Sequence, residues 1–302
     1  TDLLPDTTAM AFFSDFDLQM AWTNMNRLLS GLDIPGFADV LNKAPQQFHQ
    51  QTGLSLNDVL ASLAGDYGFL FTLDEHQKVT LPIPGHSVEM PNPGLAFIIK
   101  VKNDLIFNRV DQALTNSPVI AAMLTSVDDT DLKMRTVKVP LPIPLDVRPT
   151  IARSGDYLVV ASTDSLVRDM LAVKSGKTKG FTSTDDFKKL SQDIPGDGNN
   201  FALLTRAFSR TAFRIGQQFA PNDATADARE KLFNTDTNSF SYSVGVNGAD
   251  GWEGFANGNH NFQAMVVPAA AAIGAGAAIA IPNFVKARQA AQQAQTTITN
   301  TP

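Results

Sequence analysis

Ser175-Gly176-Lys177-Thr178 is the stretch closest to a chemical motif, because glycine-rich backbone ahead of Lys and Ser/Thr is how a phosphate loop cradles a nucleotide. The first glycine of such a loop would fall at position 171, which is Leu171, and the residues ahead read as helix, so nucleotide binding is not expected. His49, His76, His86 and His260 are the only histidines, and none stands at metal-ligand spacing from another or in an HExxH frame. Asp128-Asp129-Thr130-Asp131 and Gly196-Asp197-Gly198-Asn199-Asn200 offer oxygen ligands, yet neither continues into the glycine and distal Glu of a calcium loop. Both read as solvated turns. No Gly-x-Ser-x-Gly elbow is present, and Asp185-Asp186 reads as a first-turn acidic pair favoured by the helix dipole. With no Cys, thiol catalysis, thiolate metal sites and disulfides are excluded. The sequence offers no catalytic residue, metal ligand or cofactor site, and the expectation is a protein that is not an enzyme.

The elements that would have to position any site follow a repeated unit of apolar strand, capping polar pair and amphipathic helix. Ala9–Phe13 leads through Ser14 and Asp15 to a helix with Phe16, Met20 and Leu28. Leu95–Val101 leads through Asn103 and Asp104 to Ile106, Val110 and Leu114; Tyr157–Ala161 leads through Ser162 to Asp164 into Leu166, Val167, Met170 and Leu171. Phe201–Leu204 leads through Thr205 to Phe208, Phe213 and Phe219. Strands without helices are expected at Tyr67–Leu73, Arg135–Val139, Ser239–Val246 and Trp252–Asn257, the last two joined by Asn247-Gly248-Ala249-Asp250-Gly251 and another pair turning at Arg153-Ser154-Gly155-Asp156. The pattern predicts an α+β fold, a mostly antiparallel sheet with helices on one face. Residues 1–260 form the globular part, with two related halves at about 1–130 and 131–260.

Leu-Pro-Ile-Pro occurs twice, as Leu81, Pro82, Ile83, Pro84 and as Leu141, Pro142, Ile143, Pro144. Prolines two apart forbid helix and central strand, so both copies are expected as extended arms or edge ribbons lying side by side. Two readings stay open: an arm for a partner, or a hairpin tip.

The hydrophobic fraction of 43%, with 20 Phe, supplies ample area for a core. A net charge of −6, without a basic cluster, excludes nucleic acid as the expected partner. The chain opens at Thr1, which is read as the product of signal-peptide removal and places the protein in the cell envelope, periplasmic or extracellular.

Ala264–Val285 carries no charged side chain and is followed by Lys286 and Arg288. Its length approaches the roughly 20 residues that cross a bilayer, but Ala and Gly give little transfer free energy per residue. Pro268 suits the first turn of a helix expected over about 264–292, ahead of a polar tail, 293–302. Ala270, Gly274 and Ala278 recur every four residues, giving a smooth face for close helix packing. Ile273, Ala277, Ile281, Pro282 and Phe284 complete the expected anchor or assembly surface, with Pro282 bending the helix. Gly274 and Ala277–Ala287, read as AAIAIPNFVKA, resemble the second half of the conserved N-terminal helix of type IV pilins and pseudopilins. That resemblance implies a helix that sits in a membrane or forms a filament core, with this chain itself or a pilin-like protein as partner. The segment lies at the opposite end from a pilin's, and FQAMVVP replaces the family's upstream stretch. Docking on its own domain, membrane anchoring and helix-mediated assembly all stay open.

A longer likeness involves Leu4-Pro5-Asp6-Thr7, Thr52-Gly53-Leu54, Asp58-Val59-Leu60, Leu63-Ala64-Gly65-Asp66-Tyr67 and Val159 to Asp164. These resemble a family of bacterial envelope-associated proteins of unknown function over about residues 1–260. The resemblance implies export and no mechanism. The leading expectation is a non-enzymatic envelope or surface protein anchored or assembled through its tail. The alternative is an exported binding module for an apolar ligand such as a lipid, with the tail as tether.

Overall fold

The computed structural model of the chain describes residues 2–30, 37–83, 86–138, 145–219 and 240–259. Its strands are β1 (Thr8–Asp15), β2 (Leu63–Ile83), β3 (His86–Val101), β4 (Leu124–Asp128), β5 (Lys133–Val137), β6 (Thr150–Ser154), β7 (Tyr157–Ala161), β8 (Asn200–Leu204), β9 (Ser241–Gly248) and β10 (Gly251–Gly258). They form one antiparallel sheet of ten strands in the order β10-β9-β8-β1-β2-β3-β7-β6-β5-β4. The helices among the described residues are α1 (Leu18–Ser30), α2 (Phe37–Thr52), α3 (Leu56–Ser62), α4 (Leu105–Thr115), α5 (Pro118–Ala121), α6 (Asp164–Lys174), α7 (Asp185–Leu190) and α8 (Arg206–Phe219). The α+β fold and the antiparallel pairing agree with the sequence. The boundary expected near residue 130 falls in the turn between β4 and β5, two paired strands of that sheet.

Alternation along each strand sends side chains to two faces. Ala11, Leu70, Ala96, Ile98, Val159, Ala152 and Leu203 point to the first face, where Leu166, Val167 and Met170 of α6, Leu190 of α7 and Phe181, in the 3-10 turn just ahead of α7, cover them. Leu70 and Leu203 are fully buried, each such side chain stabilising the fold by about 1.5–3 kcal/mol. Gly68 makes room on this face for the ring of its cross-strand partner Phe13, which meets Phe201 edge-on at 5.9 Å. Thr163 and Thr184 cap α6 and α7 by accepting the Leu166 and Phe187 N–H, as the sequence leads one to expect of such junctions.

The second face also carries helices, which corrects the expectation of a single covered face. Val101, Ile151 and Leu158 are buried there with Phe107 of α4, and Ile106 and Val110 pack beside them. The reason is residue alternation: Ile151 and Leu158 are as apolar as their neighbours Ala152 and Val159, so both faces must leave water. An ion-pair network ties α4 down. Arg135 of β5, its side chain 9% exposed, grips Asp111 at 2.6 Å and Asp128 at 2.9 Å and lies over the Phe107 ring. Asp104, at the start of α4, meets Lys133 and Arg153, both at 2.9 Å. It is therefore a cross-link as well as an N-cap residue, and its side chain makes no cap bond. Asn103 instead accepts the Leu105 N–H. Ser14 and Asp15 likewise lie within β1, and Asp17 caps α1 by accepting the Met20 N–H at 2.8 Å.

Farther along the second face, α8 runs beside the β2–β3 hairpin. Phe208 meets Phe71 edge-on at 6.2 Å, and Arg210 reaches Glu75 at 3.3 Å. Gln218 accepts the Glu89 N–H at 2.7 Å and donates to the Glu89 carbonyl at 2.9 Å, the two bonds a neighbouring strand would make.

Candidate functional site

The sheet places one row of side chains in register on the second face. Phe12 of β1 pairs with Phe69 of β2, Phe69 with Phe97 of β3, and Phe97 with Val160 of β7. Directly paired residues share a face, so four neighbouring strands contribute one continuous apolar line. The next pair in the row, Val160 with Ile151, takes it under α4, where Ile151 is buried. On one side of the row the sheet is covered by α8 at Phe71; on the other it is covered by α4 at Leu158 and Val101.

Between those covers the row is open. Phe12 is 42% exposed, Phe97 54% and Val160 43%, while Phe69 is half-buried and meets Phe97 edge-on at 5.3 Å. With roughly 200 Å² for a whole aromatic side chain, Phe12, Phe97 and Val160 alone leave about 250 Å² of apolar surface in water. Phe16, in the link that follows β1, and Met20, Met25 and Leu28 of the α1 helix are exposed as well. A single exposed large apolar residue is ordinary, but a registered row with an apolar helix beside it in sequence marks an interaction surface.

The polar chemistry near this face is structural. The Lys133 hydrogen bond holds the Asp104 carboxyl below its ordinary range, and Arg153 adds to this. The Asp111 carboxylate, together with Asp128, raises Arg135 further above its already high value. Burial pushes the Tyr67 phenol up, with Asp17, Asp15 and Asp66 acting in the same direction. Asp104 and Arg135 hold elements together through their ion pairs. A cleft of about 450 Å³ between α2 and α3 is lined by Pro45, His49, Gln50, Ser55 and Asn57. Among the described residues no group of three or more acidic or histidine side chains could hold a metal ion. No helix among them is long and apolar enough to cross a membrane.

The residues singled out in the sequence fall elsewhere. Leu81, Pro82 and Ile83 end β2 at the tip of the β2–β3 hairpin, opposite Val88, Ser87 and His86. The first proline-rich copy is thus the end of a ribbon. Pro84 and the second copy, Leu141 to Pro144, lie outside the described residues, as do Ala270, Ile273, Gly274, Ala277, Ala278, Ile281, Pro282 and Phe284. Sequence reading missed the open row because Phe12, Phe69 and Phe97 look like core. The one signal was the doubled apolar run in β1 and β2, which demands cover on both faces.

No protein-family model, no curated protein and no solved structure matches the chain.

Proposed function

We propose that this chain is a non-enzymatic cell-envelope protein that assembles with copies of itself or a pilin-like partner through apolar surfaces. The open row Phe12–Phe69–Phe97–Val160 is the observation that carries this reading. Three rings and a valine held by four hydrogen-bonded strands lose little freedom on binding, so a partner covering them gains hydrophobic free energy at small entropic cost. The row lies open across a sheet, whereas small-ligand sites are concave and bury most of their ligand, which favours a macromolecular partner over a lipid. The envelope location is supported by the sequence resemblances and the uncharged segment 264–285.

Sedimentation velocity of the full chain over a hundredfold concentration range tests it. The expected result is a species larger than the monomer that grows with concentration. A lone monomer throughout, with and without detergent, would overturn the reading.

A further inference from the structure

We infer that the outer edge of β10 is a second interface, at which two copies of this chain pair antiparallel about a two-fold axis. It lies apart from the open row and does not rest on it. Among the described residues β10 ends the sheet, so one of its long sides carries backbone groups that no strand meets. The hydrogen bonds around it identify those groups. An antiparallel strand bonds to one neighbour through alternate residues, each turning its N–H and C=O the same way. Asn199 donates its N–H to the Gly245 carbonyl and accepts the Asn247 N–H on its side-chain oxygen, both at 2.7 Å, so Gly245 and Asn247 of β9 face β8. At the other end the Asn259 N–H donates to the Phe240 carbonyl at 3.3 Å, so residues of β10 in phase with Asn259 bond to β9. The register therefore turns Gly251, Glu253, Phe255 and Asn257 toward β9, and leaves the N–H and C=O of Trp252, Gly254, Ala256 and Gly258 facing outward.

This edge is unprotected. Sheet edges are ordinarily blunted by proline, lysine, a bulge or shortness. β10 has none of these: it runs eight residues in unbroken register, and its sequence GWEGFANG carries one charge. The outward residues are also small apart from Trp252. That ring lies back over Gly245 and Gly254, where an added Cβ would stand 2.7 and 2.9 Å from ring atoms, so it leaves the edge clear while staying 65% exposed. The opposite edge of the sheet is different. β4 has five residues, and only Leu124, Ser126 and Asp128 face outward, because the Lys138 and Asp129 N–H groups fix the inward phase by donating to the Met123 and Leu132 carbonyls.

The partner that fits is a second β10. Outward residues must meet outward residues for bonds to form, and one antiparallel register pairs all four. It sets Trp252 against Gly258 and Gly254 against Ala256 of the second copy, with Phe255 opposite Phe255 on the two-fold. Glu253 then stands opposite Asn257. The two Glu253 residues are ~14 Å apart, beyond the ~8 Å over which charges interact in physiological salt. A β4 edge from another copy offers three outward residues to the four of β10, and that head-to-tail contact does not close. Directly opposed residues share a face, so the two-fold pairing carries the second face across the junction and turns both open rows to the same side.

Disulfide trapping in the full chain tests this, because a chain with no Cys reports only the thiols introduced. Opposed residues that share no hydrogen bonds have Cα atoms about 4.5 Å apart, within the roughly 4.4–6.8 Å that a disulfide spans. Glu253→Cys and Asn257→Cys chains, each alone and mixed together, and Phe255→Cys alone, are oxidised with copper phenanthroline and separated on non-reducing gels. The expected result is at least tenfold more linked dimer from the mixture than from either of its components alone, and self-linking of Phe255→Cys. Glu253 is exposed and Asn257 is polar, so the mixture guards against a Phe255→Cys chain that fails to fold. A chain that associates in sedimentation while the mixture links no better than its components overturns the inference and leaves the row reading standing. The expected pattern in a chain whose association Phe97→Ser leaves unchanged supports the inference and overturns the row reading. Equal linking of every variant, alone or mixed, marks random collision and overturns the inference. No linking at all, with a lone monomer in sedimentation, overturns both.

Discussion

Replacing Phe97 by Ser separates the cost to folding from the cost to association. The side chain is 54% exposed, so about 110 Å² of it is free to be covered by a partner and about 90 Å² is already covered by the fold. At 25 cal/mol per Å², the covered part contributes about 2 kcal/mol to folding, small enough to leave a domain with ordinary stability folded. The exposed part contributes about 2.7 kcal/mol to any complex that buries it, equivalent to a roughly hundredfold weaker dissociation constant. Loss of the edge-on contact with Phe69 falls on the folding side. Sedimentation equilibrium gives the dissociation constant and urea denaturation gives the fold on the same material. A Phe97→Ser chain that stays folded yet self-associates within threefold of the parent would refute the reasoning, because the most exposed ring of the row would then contribute nothing.

Other consequences concern the frame that keeps the row open. Arg135→Ala should lower stability by about 3 kcal/mol in urea denaturation without changing the denaturant slope, since it leaves Asp111 and two carbonyls without their donor. A loss under about 0.5 kcal/mol would mean the pair behaves as a surface one. Asp104→Asn should lower the melting temperature at neutral pH, because Lys133 and Arg153 lose a shared carboxylate. The Asp104 carboxyl is held below its ordinary value of 3.8, so its stabilising contribution is complete above that value and disappears as pH falls through the lower folded value. Melting curves of parent and variant should therefore converge in strong acid; a gap that persists there contradicts the assignment. Leu70→Ala, at a fully buried position on the first face, should cost about 2–5 kcal/mol by the same urea assay while leaving self-association per folded molecule unchanged.

Local periodicity made much of the fold legible. Tyr157–Ala161 coincides with β7, and Asn247–Gly251 does join β9 to β10 as a hairpin. The true extent of β2 was hidden because the polar run Asp74-Glu75-His76-Gln77-Lys78 breaks the apolar alternation after Leu73, whereas it is an irregularity inside a long ribbon whose pairing resumes at Lys78. β4 was missed for a related reason: Leu124–Asp128 alternates weakly and stands at the sheet edge, where three of its five residues are exposed. Asp104 was read as a cap because a side chain's local bonding options are visible in sequence, while its partners Lys133 and Arg153 arrive from distant strands. The row itself could not be seen in advance. Its side chains come from four strands, and its openness depends on where α8 and α4 end their cover, which no local pattern records.

Carbene footprinting of the natively purified full chain addresses the central claim directly, because it reports which exposed apolar side chains are covered by anything at all. Phe12 and Phe97 should be labelled at least fivefold less than Val119, although all three stand exposed on the folded chain. Labelling of Phe97 equal to that of Val119 would show a bare row and contradict the account.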